Sequence, residues 1–142
     1  MKTLRVLLVE DNPGDVELVR EALTARKLPY IMEVAQDFEA ARDLIRSIGT
    51  AAKCPDILLI DINLPKGSGL ELLRLLRSQV GCETVPVIVV SSSNSPQDRV
   101  RAAQFGIAHY FRKPSDLEEF LKLGSLVESA AFQNPRPSEP RP

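Results

Sequence analysis

With 142 residues, 44% of them hydrophobic, the chain has the size and composition of one ordinary globular domain with a real core. Its 18 Lys and Arg against 19 Asp and Glu leave a formal net charge of −1 at pH 7. That balance excludes a general attraction for nucleic acid or an anionic membrane. The apolar run in the opening MKTLRVLLVEDN is far too short for a signal peptide or a spanning helix, so the expected location is cytoplasmic.

Strand and helix signals then alternate along the chain. LRVLLV (4–9) is a leucine and β-branched run ended by acids, and reads as the first strand. A helix follows, with Asn12 as N-cap, Pro13 at its first position and Val16, Val19, Ala22 and Leu23 at helical spacing. YIMEV (30–34) is a short strand. The second helix places Phe38, Ala41, Ile45 and Ile48 on one face, and Gly49 stops it. DILLI (56–60) is the third strand. The third helix, GLELLRLLRSQVG, is expected to turn Leu72, Leu73, Leu76 and Val80 inward and to end at Gly81. PVIVV (86–90) is the fourth strand, SPQDRVRAAQFG a short polar helix ending at Gly106, and AHYF (108–111) a fifth, edge strand. The last helix, SDLEEFLKLGSLVESAAF, is capped by Ser115 or Asp116 and directs Leu117, Phe120, Leu121 and Val127 at the sheet. The tail QNPRPSEPRP, with four prolines, is expected to be extended or disordered.

Five strands alternating with five helices imply an α/β fold, a doubly wound, flavodoxin-like (βα)5 unit with a five-stranded parallel sheet in the order 2-1-3-4-5. The domain is expected to span 1–131, with 132–142 as the Pro-rich tail. Cys54 and Cys82 have no metal-type spacing and are expected to be two reduced thiols. His109 is the only histidine and has no partner that would make a metal site or a nucleophile–base pair.

In such a sheet, ligands bind beyond the carboxyl ends of the strands, beside the first one. The residues there are Glu10 and Asp11 after strand one, Asp61 after strand three, Ser91, Ser92 and Ser93 after strand four, and Lys113 and Pro114 after strand five. Any one of these alone is a loop acid, a polar turn or a surface lysine. Their joint placement at four strand ends is what carries meaning. Three carboxylates in one crevice repel each other, and a divalent cation relieves them. Hard oxygen ligands in an open, hydrated crevice suit Mg²⁺. Lys113 then serves as a point charge for a phosphate oxygen, a serine hydroxyl donates to a second, and an aspartate can act as nucleophile.

The stretches VLLVEDNPGDVELVREAL, DILLIDINLPKGSGLELL, VPVIVVSSS and YFRKP resemble the receiver domain of two-component response regulators over roughly 4–127. The resemblance implies that Asp61 is the phosphoacceptor for a sensor histidine kinase, with Ser91 and Lys113 binding phosphate oxygens. It implies Mg²⁺ held by Glu10, Asp11, Asp61 and the backbone carbonyl of Asn63. It makes Ser91 and Tyr110 the switch pair, puts Asn63 and Ser93 where phosphoryl lifetime is tuned, and gives Lys113 a cis bond to Pro114. Glu10 departs from the commoner aspartate, Ser91 from threonine, and Ser115 from an apolar residue. The resemblance implies self-directed chemistry rather than an enzyme acting on other substrates. With about ten residues after the last helix, output is expected through protein contact, dimerisation or passing the phosphoryl group on; a homodimer would use the fourth-helix, fifth-strand, fifth-helix face, and Phe105, Ile107, Phe111 and Phe132 around it belong either to that surface or to the core.

The opening stretch is similar to single-domain regulators that partner bacterial phytochrome kinases, and a downstream protein is expected but not named by the sequence. The alternative on the same fold is a phosphorylation-independent protein-binding module. A dehalogenase-type phosphatase would need an acid where Asn63 stands, and a nucleotide carrier would meet Glu10 and Asp11 where its phosphate belongs.

Overall fold

The computed structural model describes residues 2–49 and 53–133. Strands β1 (Leu4–Val9), β2 (Tyr30–Ala35), β3 (Ile57–Ile60), β6 (Val87–Ser91) and β7 (His109–Arg112) form one sheet in the order β2-β1-β3-β6-β7, and β4 (Asn63–Leu64) pairs with β5 (Gly67–Ser68) in a separate small hairpin. All four pairings are parallel. Among the five sheet strands this is the expected order 2-1-3-4-5. β1 lies between β2 and β3, with Val9 opposite both Ala35 and Ile60. Every residue of β3 is buried, because helices cover both faces of the central strands.

The period of two along each strand divides the core into two layers. Leu7, Val9, Leu58, Ile60, Val87 and Val89 face helices α2 (Phe38–Arg46) and α3 (Gly69–Ser78). Leu4, Val6, Leu8, Ile57, Leu59 and Ile88 face α1 (Pro13–Ala25) and the last helical segment. In α1, Val16, Val19, Ala22 and Leu23 are all buried, and the Asn12 side chain accepts from the Gly14 and Asp15 amides. The helix therefore starts directly above the end of β1, which fixes the geometry of the site. No helix among the described residues is long and apolar enough to cross a membrane.

Several expectations are corrected. Cys54 and Cys82 are joined in a disulfide, not held as two thiols. The loop before β3 and the turn after α3 lie side by side at the foot of the sheet and bring the two Cα atoms to 5.8 Å, within bonding geometry. Val80 is 93% exposed, because α3 ends at Ser78 and Gln79 is already extended. The last helix is broken at Lys122 into α5 (Leu117–Leu121) and α6 (Leu123–Glu128), followed by one wide π turn to Gln133. The break adjoins Gly124, where a Cβ would lie 2.4 Å from the Ala22 carbonyl oxygen; the helix meets α1 with no room for a side chain. Asp116 caps α5, and Leu117 at its first position is 48% exposed rather than turned to the sheet. Residues 134–142 of the expected tail lie outside the described residues. Phe105, Ile107 and Phe111 pack against the core, which leaves Phe132 as the exposed member of that set.

Candidate functional site

The rim at the carboxyl ends of β1, β3, β6 and β7 is built by ladder hydrogen bonds that run one residue past each strand. The Glu10 amide donates to Ala35 O at 3.0 Å, the Asp61 amide to Val9 O at 3.0 Å, and the Lys113 amide to Ser91 O at 2.8 Å. Asp61 is thereby held beside the start of the β1–α1 loop, and Lys113 is swung back over the sheet. All peptide bonds among the described residues are trans, so the expected cis bond at Lys113–Pro114 is absent. The lysine is oriented instead by its own amide and by the carboxylates around its ammonium.

Those carboxylates are Glu10 at 2.8 Å, Asp15 at 2.8 Å and Asp61 at 2.9 Å from Lys113 Nζ. Asp15 was not a sequence candidate. It sits in the first turn of α1, and the signal for it was the Asn12-Pro13 cap, which places that turn over the rim. Asp11 adds a fourth acid, exposed to solvent. Ligand oxygens of Glu10, Asp11 and Asp61 lie within 4.8 Å of one another. Three carboxylates thus contact one ammonium, and Asp11 lies beside them. Burial pushes Glu10 up from 4.5 to about 7 despite the opposing pull of Lys113. Burial would lower Lys113, but its three carboxylate partners outweigh that and raise it. The cluster carries uncompensated negative charge in hard oxygen donors on an open rim. This donor set fits a hard divalent cation.

Both oxygens of Asp61 are engaged. Oδ2 accepts from Lys113, and Oδ1 accepts from the Asn63 amide at 2.9 Å. The loop after Asp61 folds into a small antiparallel hairpin, β4 (Asn63–Leu64) with β5 (Gly67–Ser68). Lys66 turns it at φ 67°. Gly69 closes it: a Cβ there would stand 2.7 Å from the Asp61 carbonyl oxygen and 2.6 Å from Ile62 Cα. α3 can therefore start tight against the backbone that presents Asp61.

Ser91 is fully buried, and its Oγ accepts from the Ser93 amide at 3.1 Å and from Asn63 Nδ2 at 3.4 Å. Ser93 Oγ donates to Asp98 at 2.7 Å, next to the Ser95 N-cap of α4 (Pro96–Ala103). Tyr110 is half-buried on β7; its hydroxyl donates to Ser93 O at 3.1 Å, and Arg99 of α4 lies 4.4 Å over its ring. The hydroxyl loop, the tyrosine and α4 are thus one connected unit beside Asp61. An open groove of about 550 Å³ runs from Asp11 along Asn63, Leu64 and Ser68 to Asp98 and Arg101 of α4.

Residues 6–123 match the response regulator receiver domain. The chain is 28% identical to response regulator Rcp1 of Synechocystis sp. over 87% of its own length and 86% of that protein. It is 36% identical to the transcriptional regulatory protein TrcR of Mycobacterium tuberculosis over 93% of this chain, and spans about half (49%) of that longer protein. It likewise spans 47% of response regulator MprA of Mycolicibacterium vanbaalenii, at 35% identity over 83% of this chain. Among solved structures, the phosphorylated cyanobacterial phytochrome response regulator RcpA superposes with a TM-score of 0.84 at 28% identity, covering 96% of this chain and 100% of that one. The Mn²⁺-bound form of Rcp1 gives 0.80 at 26%, covering 95% and 99%. The bacteriophytochrome response regulator AtBRR gives 0.71 at 30%, covering 98% and 100%. The chain belongs to the response regulator receiver domain family. Such a domain assists phosphorylation and dephosphorylation of its own aspartate and does not turn over an external substrate.

Proposed function

We propose that this receiver domain takes a phosphoryl group from the phosphohistidine of a sensor histidine kinase onto Asp61 and reports it through α4, β7 and α5. The observation that carries the reading is the Lys113 ammonium within 2.9 Å of Asp61, beside an acid cluster of Glu10, Asp11 and Asp61 with metal-ligating geometry. In the transfer, an oxygen of Asp61 forms the new P–O bond as the P–N bond to the kinase imidazole breaks. Glu10, Asp11, Asp61 and the carbonyl of Asn63 would hold Mg²⁺, which supplies charge neutralisation for the phosphoryl oxygens. Lys113 leaves its contact with Asp61 for a phosphoryl oxygen, and Ser91 donates to another. Ser91 then pulls on the loop that carries Ser93, and Ser93 is tied to both Tyr110 and Asp98. Gaining contacts only in the phosphorylated state, this unit shifts the population of the α4–β7 surface. Asn63 and Ser93 stand at the mouth of the site, where they govern the approach of water to the phosphoryl group.

The receiver unit in this reading is 1–131, with 132–142 as an extension. The similarity to phytochrome regulators supports a bacteriophytochrome kinase as donor. Exposed Val100 on α4 and Leu117 on α5 support the same face as the contact for a downstream protein or a second copy. Incubation with acetyl phosphate tests the reading. Labelling is expected to need Mg²⁺ and to vanish in Asp61→Asn. Labelling that survives the substitution overturns the site, and failure of every phosphodonor favours a phosphorylation-independent binding module.

A further inference from the structure

At the opposite end of the sheet from Asp61, the Cys54–Cys82 bond closes a segment of sequence separation 28 that contains all of β3, the hairpin, Asp61 and α3. Cys82 is fully buried, whereas Cys54 is partly exposed, beside exposed Lys53 and within reach of Arg5, whose Nη1 donates to Cys54 O at 3.3 Å. Cys54 is thus the more accessible of the two half-cystines, and the one that a thiolate from solution would meet first. Cys82 is also held from its other side. Its carbonyl accepts from Arg77 Nη1 at 3.3 Å. The same guanidinium donates to Val85 O at 2.7 Å, to Phe105 O at 2.9 Å and to Gly106 O at 3.4 Å. Arg77 therefore ties the turn that carries the disulfide to the corner where α4 ends and β7 begins.

We propose that Cys54–Cys82 is a thiol–disulfide exchange site for low-molecular-weight thiols, and that its oxidation state sets the rigidity of the α4–β7 corner through Arg77. In the exchange a thiolate RS⁻ attacks Cys54 Sγ, an R–S–S–Cys54 mixed disulfide forms, and Cys82 leaves as a thiolate that takes up a proton. A second RS⁻ attacks the R sulfur of the mixed disulfide, which releases RSSR and the Cys54 thiolate. Two thiols are oxidised and the protein disulfide is reduced; glutathione disulfide drives the reverse. With the bond closed, Cys82 is fixed both by Cys54 and by Arg77. With it open, the turn at 79–85 relaxes, and Arg77 loses its fixed anchor against Phe105 and Gly106. The proposal concerns the unphosphorylated chain and stands apart from the role of Asp61.

The test is hydrogen exchange on the full chain poised in glutathione buffers, with thiol mass-tagging to count free cysteines. The folded protein is expected to interconvert between zero and two free thiols. Reduction is expected to speed exchange several-fold at 79–85 and also at 104–107, while α1 and α5 stay unchanged. Cys54→Ala/Cys82→Ala should show the reduced pattern without reductant; if it fails to fold, reduction of the native sequence gives the same comparison. Arg77→Met should abolish the redox dependence at 104–107 and keep it at 79–85. A pair that exchanges only after global unfolding overturns the proposal, as does a change confined to 79–85 or spread evenly over the chain.

Discussion

The two ends of the same parallel strands are built on opposite principles. At the carboxyl rim, Glu10, Asp15 and Asp61 converge on one lysine with Asp11 beside them, and burial holds Glu10 near a pKa of 7. At the foot, a covalent bond and one guanidinium on four neutral carbonyls fasten the loops, with no carboxylate among Arg77's acceptors in the described residues. The rim gathers negative charge that a divalent cation would offset; the foot holds a guanidinium on neutral carbonyls, and burial lowers its pKa. Both ends reach α4, from the rim through Ser93 and Tyr110 and from the foot through Arg77.

The sharpest way to break this contrast is to remove the cation that pairs with the rim acids. Lys113→Met leaves buried Glu10 and Asp61 without a counter-charge, and should cost about 3–5 kcal/mol in metal-free urea unfolding. Mg²⁺ should restore part of that loss, and a variant as stable as the parent would mean that the acids are not under tension. The next largest effect is in pH. Glu10 binds its proton in the folded chain up to about pH 7 but in the unfolded chain only up to about 4.5. Between these values the folded state holds the extra proton, so its stability falls as pH rises through the window, by up to about 3 kcal/mol. The difference between the parent and Glu10→Gln isolates this contribution. Saturating Mg²⁺, which binds only the ionised form, should flatten it.

Gly69→Ala tests the presentation of Asp61 without touching a charge. A methyl group driven into the Asp61 and Ile62 backbone should cost roughly 1–3 kcal/mol and slow acetyl-phosphate labelling. At the foot, Arg77→Ala should cost about 2 kcal/mol while leaving Mg²⁺ affinity unchanged; a large change in that affinity would erase the distinction between the ends. The smallest effect belongs to the α4 cap. Ser95→Ala removes the acceptor for the Asp98 amide and should cost about 1 kcal/mol, with Asp61 labelling retained.

Strand order, the two-layer core and the rim acids were legible because they rest on local pattern. Apolar runs mark strands buried on both faces, and acids that end those runs fall on one edge once the topology is known. What was not legible depends on where the chain goes after an element ends. Val80 matched the helical spacing of Leu73 and Leu76, yet α3 stops before it. Asp15 reads as an ordinary acid in a first helical turn, and only the tilt of α1 over β1 brings it to Lys113. Cys54 and Cys82 are 28 positions apart, and nothing in their spacing tells that the foot of β3 and the end of α3 meet. The β4–β5 hairpin follows from the tight start of α3 at Gly69, not from any run of β-formers.

The central claim is that Asp61 is the group the rim serves. Its most direct test is acetyl-phosphate treatment with and without Mg²⁺, borohydride trapping of the acyl phosphate, and peptide mapping of the reduced site. Trapping at Asp61 alone, and only with Mg²⁺ present, is the predicted result. Trapping at Asp11 or Asp15, or equal trapping at Asp61 after chelation, would contradict it.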